Sequence, residues 1–183
     1  HTLIISGGTI DTDFALDLLK KEKYDHIIGV DGALKFCKEQ NIVPTRIVGD
    51  FDTLDPEILT WYQTNTQIEI RQFNPVKDAT DTQIAIELAM ELGSRKITLV
   101  GGTGTRLDHV LGNIQTLYLP FAKGIDCRIV DAHNRIRLVS GELHLKMTEQ
   151  WGKYVSLIPF TTDVEGVDLI GFKYPLEKFS FTV

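Results

Sequence analysis

Up to about residue 125, short β-branched runs alternate with stretches whose apolar residues recur at helical spacing. The strand-like runs are Leu3 to Ser6, His26 to Val30, Arg46 to Val48 and Lys96 to Val100. The helical patterns are Phe14 to Lys21, Leu34 to Glu39, Thr80 to Leu92 and Leu107 to Phe121. Such alternation predicts an α/β domain with a mostly parallel sheet. Thr80 and Gln83 have the spacing of a capping box, with Ile84, Leu88 and Leu92 on one stripe behind it. A second stripe, Leu107, Val110, Leu111, Ile114, Leu117 and Tyr118, contains Gly112, which costs about 1 kcal/mol inside a helix and so predicts close packing there.

After Gly124 the pattern becomes short strands: Cys127 to Val130, Ile136 to Val139, Glu142 to Lys146, Tyr154 to Pro159, Val167 to Ile170 and Phe179 to Val183. Gly141, Gly152, Gly166 and Gly171 punctuate them, as in a small antiparallel sheet or half of a sandwich. The expected division is therefore an α/β domain over 1–125 and a smaller all-β domain over 126–183. Fewer than about sixty residues serve the second, so it is expected to lean on the first or on a second subunit. No internal repeat or low-complexity linker separates them.

Composition narrows the classes of function. Hydrophobic residues make up 43% and charged ones 24%, and no apolar stretch approaches the roughly 20 residues of a membrane helix. No membrane span is expected. A formal net charge of -6 gives no basic footprint for nucleic acid, so an anionic ligand must be held locally by backbone amides, a few cations or a metal. Cys37 and Cys127 lack metal-ligand spacing and are too few for a disulfide framework, which predicts free thiols in a reducing compartment. His1 leads directly into an apolar strand with no basic and apolar leader, so the expected location is cytoplasmic. The chain opens without Met, so its outer boundaries need not be those of the gene product.

The candidate chemistry lies in four places. Gly49-Asp50-Phe51-Asp52-Thr53 follows the apolar pair Ile47-Val48, and strand alternation would turn Asp50 and Asp52 to one side at the strand's carboxyl end. Paired carboxylates there suit Mg²⁺, although an isolated Asp-x-Asp is also an ordinary solvated turn. Asp31-Gly32 places another acid after His26 to Val30. In Lys77-Asp78-Ala79-Thr80-Asp81, Asp78 precedes a helix and Asp81 lies in its first turn, where helix capping alone accounts for acidic residues. The fourth place is Gly101-Gly102-Thr103-Gly104-Thr105-Arg106-Leu107-Asp108-His109, between a strand and a helix. Glycines admit an anion to the backbone, the helix start presents N–H groups, and Arg106 adds a forked cation. It is neither a Walker A loop nor a dinucleotide fingerprint, since Leu107 stands where a third Gly would fall. His109 and Asn113 share a helix face, so one can reach a site while the other orients it.

In this order, Asp31-Gly32, Gly49-Asp50-Phe51-Asp52, Lys77-Asp78-x-Thr80-Asp81 and Gly101-x-Thr103-Gly104-x-Arg106-Leu107-Asp108-His109 resemble the thiamine pyrophosphokinase family over about residues 1–125. The resemblance implies a Rossmann-like three-layer catalytic domain followed by an all-β, sandwich-like thiamine-binding domain. It also implies transfer of the diphosphate of ATP to the hydroxyl of thiamine, giving thiamine diphosphate and AMP. By the same resemblance Asp50, Asp52 and Asp81 bind Mg²⁺, and Arg106 and Asp108 join them as catalytic residues. Asp31, Lys77, Asp78, Arg106 and Asp108 surround the nucleotide and transferred diphosphate, with Thr103, Gly104 and His109 on the nucleotide side. The expected assembly is a homodimer, because thiamine is held across the family's subunit interface.

Departures are small in the first domain: Gly32-Ala33 replaces the usual glycine pair and Thr105 a common Gly. The family's β-domain continues with a Gly- and Ser-Asn-containing segment, whereas this sequence stops at Phe181-Thr182-Val183, so a C-terminal piece bearing thiamine contacts is expected to be lacking. Two alternatives stay open on the residues alone: another Mg²⁺-dependent Asp-x-Asp enzyme, such as a glycosyltransferase or aspartyl phosphatase, and a nucleotide-binding regulatory domain.

Overall fold

The computed structural model describes residues 1–52, 54–73 and 79–183. In chain order the first elements are β1 (Thr2–Ile5), α1 (Thr12–Lys21), β2 (His26–Val30), α2 (Ala33–Glu39), β3 (Arg46–Gly49), α3 (Pro56–Asn65) and β4 (Glu69–Gln72). There follow α4 (Asp81–Glu91), β5 (Lys96–Val100), α5 (Leu107–Thr116), α6 (Tyr118–Phe121), β6 (Asp126–Val130), β7 (Arg135–Arg137), β8 (Asp163–Leu169) and β9 (Leu176–Thr182).

Among the described residues, β1 to β7 form one sheet in the order β4-β3-β2-β1-β5-β6-β7. All neighbours in it are parallel except β6 and β7. The strand residues alternate between two apolar layers, as a period of two requires when both faces are covered. Leu3, Ile5, Ile47, Val100 and Val130 pack with Ala15 and Leu18 of α1, Leu34 and Cys37 of α2, and Ile58 and Tyr62 of α3. Ile4, Val48, Leu99 and Ile129 face the other way, against Ala85, Ile86 and Ala89 of α4 and Leu117. The expected three-layer α/β architecture is thus present.

Four local readings change. α3 and β4 were not among the expected elements, although Asp55-Pro56 carries a helix-start signal: Asp55 accepts the Glu57 N–H at 2.9 Å and Pro56 opens the helix. Thr80 does cap α4, accepting the Gln83 N–H at 3.2 Å, but the Gln83 side chain turns forward to Glu87 at 2.9 Å rather than back to the cap. The stripe on α5 is only partly covered: Leu107 and Leu111 are 72% and 61% exposed. Among the described residues, Gly112 has nothing within 4 Å of where a Cβ would stand, so the close packing expected there is not found among them.

The fourth change concerns the second domain. The chain divides into compact units 1–151 and 152–183. Strands β6 and β7, expected to open the β-domain after residue 125, instead extend the large sheet, because Ile129 and Val130 feed its two apolar layers. Residues 142–146 and 154–159 carry no strand assignment. The second unit holds the antiparallel pair β8 and β9, with register shifts between Val164 and Val167 and between Val167 and Leu169. It is the small antiparallel sheet that the spacing of Val167 to Ile170 and Phe179 to Val183 predicts.

Candidate active site

Parallel strands deliver their carboxyl ends to one edge of the sheet, and the loops there carry the candidate residues. Asp31 follows β2 with φ 42°, and its N–H donates to the Val48 carbonyl at 2.9 Å. That bond ties the turn after β2 to the end of β3. Asp50 follows β3 directly, and the chain then reverses at Phe51, where φ is 61°. The Asp52 N–H points back at Asp50 Oδ1, 3.3 Å away. The convergence of Asp50 and Asp52 therefore comes from a left-handed turn beyond the strand, not from continued strand alternation.

Asp31, Asp50 and Asp52 each offer a carboxylate oxygen, and these oxygens lie within 4.8 Å of one another. Asp31 and Asp50 are half-buried and Asp52 is exposed. Sequence placed Asp50 and Asp52 together but set Asp31 on the nucleotide side; here it is the third member of the cluster. Asp81 is the first residue of α4 and lies outside this cluster. Lys77 and Asp78 lie outside the described residues.

The loop after β5 is locked onto the loop after β1. Ser6, Gly8 and Thr9 donate their N–H groups to the carbonyls of Val100, Gly101 and Thr103 at 2.9, 2.9 and 2.8 Å. Gly101 has φ 71°, and a Cβ there would stand 2.1 Å from the Ser6 carbonyl oxygen, so no other residue fits this approach. Asn113 is buried on α5 and donates Nδ2–H to the Gly102 carbonyl at 2.8 Å. Of the pair His109 and Asn113, it is Asn113 that orients the loop, while His109 is exposed. Thr103 donates its hydroxyl to Asp131 Oδ2 at 3.0 Å.

Asp131 was not singled out by sequence. Its Oδ1 accepts the N–H groups of His133 and Asn134, both at 2.7 Å, and its own carbonyl accepts Trp151 Nε1–H at 3.1 Å. Burial pushes the carboxyl up, but the hydrogen bonds from His133, Asn134 and Thr103 outweigh it and hold the group below the usual carboxylate range. An Asp at a strand's end three residues before an Asn is a turn signal that could have marked it.

Arg106 precedes α5 and Asp108 lies in its first turn. The guanidinium grips the carboxylate with Nη2 at 2.7 Å and Nε at 3.3 Å, and both side chains are exposed. The hydrogen bond from Arg106 holds the Asp108 carboxyl below its ordinary range. Arg106 makes no side-chain cap on α5, and the first N–H groups of a helix suit an anion. Gly104 sits behind it against Thr9. The edge thus carries a cluster of hard oxygen donors, and its β5 loop a forked cation beside a helix N-terminus. Acids for a cation and an Arg with helix amides for phosphate are what phosphoryl chemistry uses.

Comparison with known proteins gives a consistent picture. Residues 12–129 match the family described as thiamin pyrophosphokinase, catalytic domain, and residues 141–183 match thiamin pyrophosphokinase, vitamin B1 binding domain. The thiamine pyrophosphokinase of Bacillus subtilis (strain 168) is 35% identical over 162 residues, which span 85% of this chain and 72% of that protein. The crystal structure of thiamine pyrophosphokinase from Bacillus subtilis superposes with a TM-score of 0.86 at 32% identity, covering 100% of this chain and 84% of that one. That of thiamin pyrophosphokinase from Geobacillus thermodenitrificans gives 0.74 at 31% identity, with coverage of 100% and 84%. With both stretches matched in order and a relative this similar across most of both chains, the chain belongs to the thiamin pyrophosphokinase family.

Proposed function

We infer that this chain is a thiamine diphosphokinase. Thiamine's hydroxyl oxygen bonds to the β-phosphorus of ATP and gives up its proton to solvent, the bond from that phosphorus to the AMP oxygen breaks, and thiamine diphosphate and AMP leave. The observation that carries the reading, beside family membership, is the meeting of Asp31, Asp50 and Asp52 within 4.8 Å at the carboxyl edge of the sheet. An all-oxygen, anionic donor set fits Mg²⁺, which prefers carboxylates together with phosphate oxygens and water. Asp31, Asp50 and Asp52 would hold it, and the family pattern adds Asp81 at the start of α4. When bound, Mg²⁺ neutralises charge on the phosphate oxygens.

The chain's own residues position the reactants. Arg106 offers its donors to the transferred diphosphate, and Asp108 keeps the guanidinium turned toward the start of α5. Asn113 ties the β5 loop to α5 and Gly101 lets that loop sit against the β1 loop, which fixes where Gly104 and the first amides of α5 point. Lys77, Asp78, Thr103 and His109 complete the nucleotide side by the family pattern. Phosphoryl transfer asks mainly for such positioning and charge neutralisation.

The assembly we propose is a homodimer. Exposed Leu107 and Leu111 on α5 support it, beside the family pattern in which thiamine is held across a subunit interface. A cytoplasmic location is proposed from the two free, buried cysteines. Among the described residues, no helix is long and apolar enough to cross a membrane. The test of function is AMP release from ATP and Mg²⁺ with thiamine present and absent. Thiamine-dependent AMP is expected; AMP formation indifferent to thiamine, or none, would refute the reading.

A further inference from the structure

Phe51 holds a conformation that bulky side chains rarely adopt, in the middle of the Asp-x-Asp pair. Its φ of 61° lies in the left-handed region, where Gly, Asn and Asp are the usual occupants. Its side chain is nevertheless buried, 8% exposed, in the apolar layer that contains Leu54, Ile58 and Tyr62. The ring lies over Gly49: a Cβ there would stand 2.9 Å from ring Cε1 and 3.1 Å from the Cα of Asp31. One residue thus has its side chain fastened in the core and its backbone turned the unusual way.

The consequence falls on its neighbours. Two residues of extended strand advance about 6.6 Å, which spaces same-side carboxylates along an edge. The reversal at Phe51 instead brings oxygens of Asp50 and Asp52 within 4.8 Å of each other and of Asp31. We propose that Phe51 is a positioning residue for a divalent cation: its buried ring, seated in the space left by Gly49, holds the turn that gathers Asp50 and Asp52 against Asp31. This rests on the metal reading given above.

The test is direct Mn²⁺ binding to the full chain, with free Mn²⁺ read by electron paramagnetic resonance and folding checked by thermal melting. Phe51→Ala keeps the unfavourable φ but loses the ring, and its Mn²⁺ affinity should fall roughly 10-fold to 100-fold, as for other supports behind metal ligands. Phe51→Leu, which refills the core, should recover most of it. Gly49→Ala, which pushes on the ring and on Asp31, should lose affinity as Phe51→Ala does. A folded Phe51→Ala with undiminished Mn²⁺ affinity overturns the proposal. If that variant does not fold, a folded Gly49→Ala with undiminished affinity overturns it. Asp50→Asn and Asp52→Asn separate the two readings: if they bind Mn²⁺ as the unaltered chain does, or it binds none, the metal reading itself fails. If they lose Mn²⁺ while the Phe51 and Gly49 variants keep it, only the positioning role fails.

Discussion

Asp52 is exposed and supports no part of the core, so its replacement separates chemistry from folding. In Asp52→Asn we expect turnover to fall about 100-fold or more, as for lost metal contacts. The melting temperature should move by less than about 2 °C, as for a surface change in a chain of this size. A large drop in melting temperature would make Asp52 a structural cap instead. Asp131 is the opposite case. Because folding lowers its pKa, its stabilising effect is complete above the unfolded value of about 3.9 and is lost as pH falls through the lower folded value. The melting-temperature gap between the unaltered chain and Asp131→Asn should therefore be widest near neutrality and close as pH drops below about 4. A gap constant down to about pH 2 would show that the carboxylate charge is not what matters. The acids of the site were legible as residue types after short apolar runs. The positive φ of Phe51 was not, nor was the bond from Thr103 to Asp131, which joins segments distant in sequence; only the local bonds of Asp131 to His133 and Asn134 had a sequence signal.

At the scale of elements, α5 and the loop before it act together. Asn113 reaches from nearly two helical turns inside α5 to the buried carbonyl of Gly102, and Asn113→Ala leaves that acceptor without its donor. A loss of about 1–3 kcal/mol in urea unfolding is expected, together with a raised KM for ATP as the loop loosens. Unchanged stability would mean that the loop is held by its bonds to the β1 loop alone. The sequence pattern showed the strand, the glycines and the helix, and the spacing of His109 and Asn113 gave the shared face. It could not show that Gly101 serves the packing of one loop on another, because Ser6 is its neighbour only in the folded sheet. α3 was readable from Asp55-Pro56 and from Ile58 and Tyr62 one turn apart; β4 beside it, with Arg71 and Glu69 among its four residues, carries too little apolar alternation to announce itself.

For the whole molecule, the alternation of strands and helices is enough to predict a mostly parallel sheet, since each crossover helix covers one face. Where that sheet ends is less visible. The short apolar run Cys127 to Val130 reads equally as the start of a new β unit or the next parallel strand, and only its pairing with β5 decides. The homodimer proposed here predicts twice the chain mass at sedimentation equilibrium; a monomer that binds thiamine would contradict it. The account as a whole depends on which phosphorus of ATP is attacked, and ³¹P nuclear magnetic resonance of the chain with ATP, Mg²⁺ and thiamine reads this directly. Equal, growing amounts of AMP and thiamine diphosphate are predicted, whereas ADP with thiamine monophosphate, or unchanged ATP, would contradict the assignment of the site to diphosphate transfer.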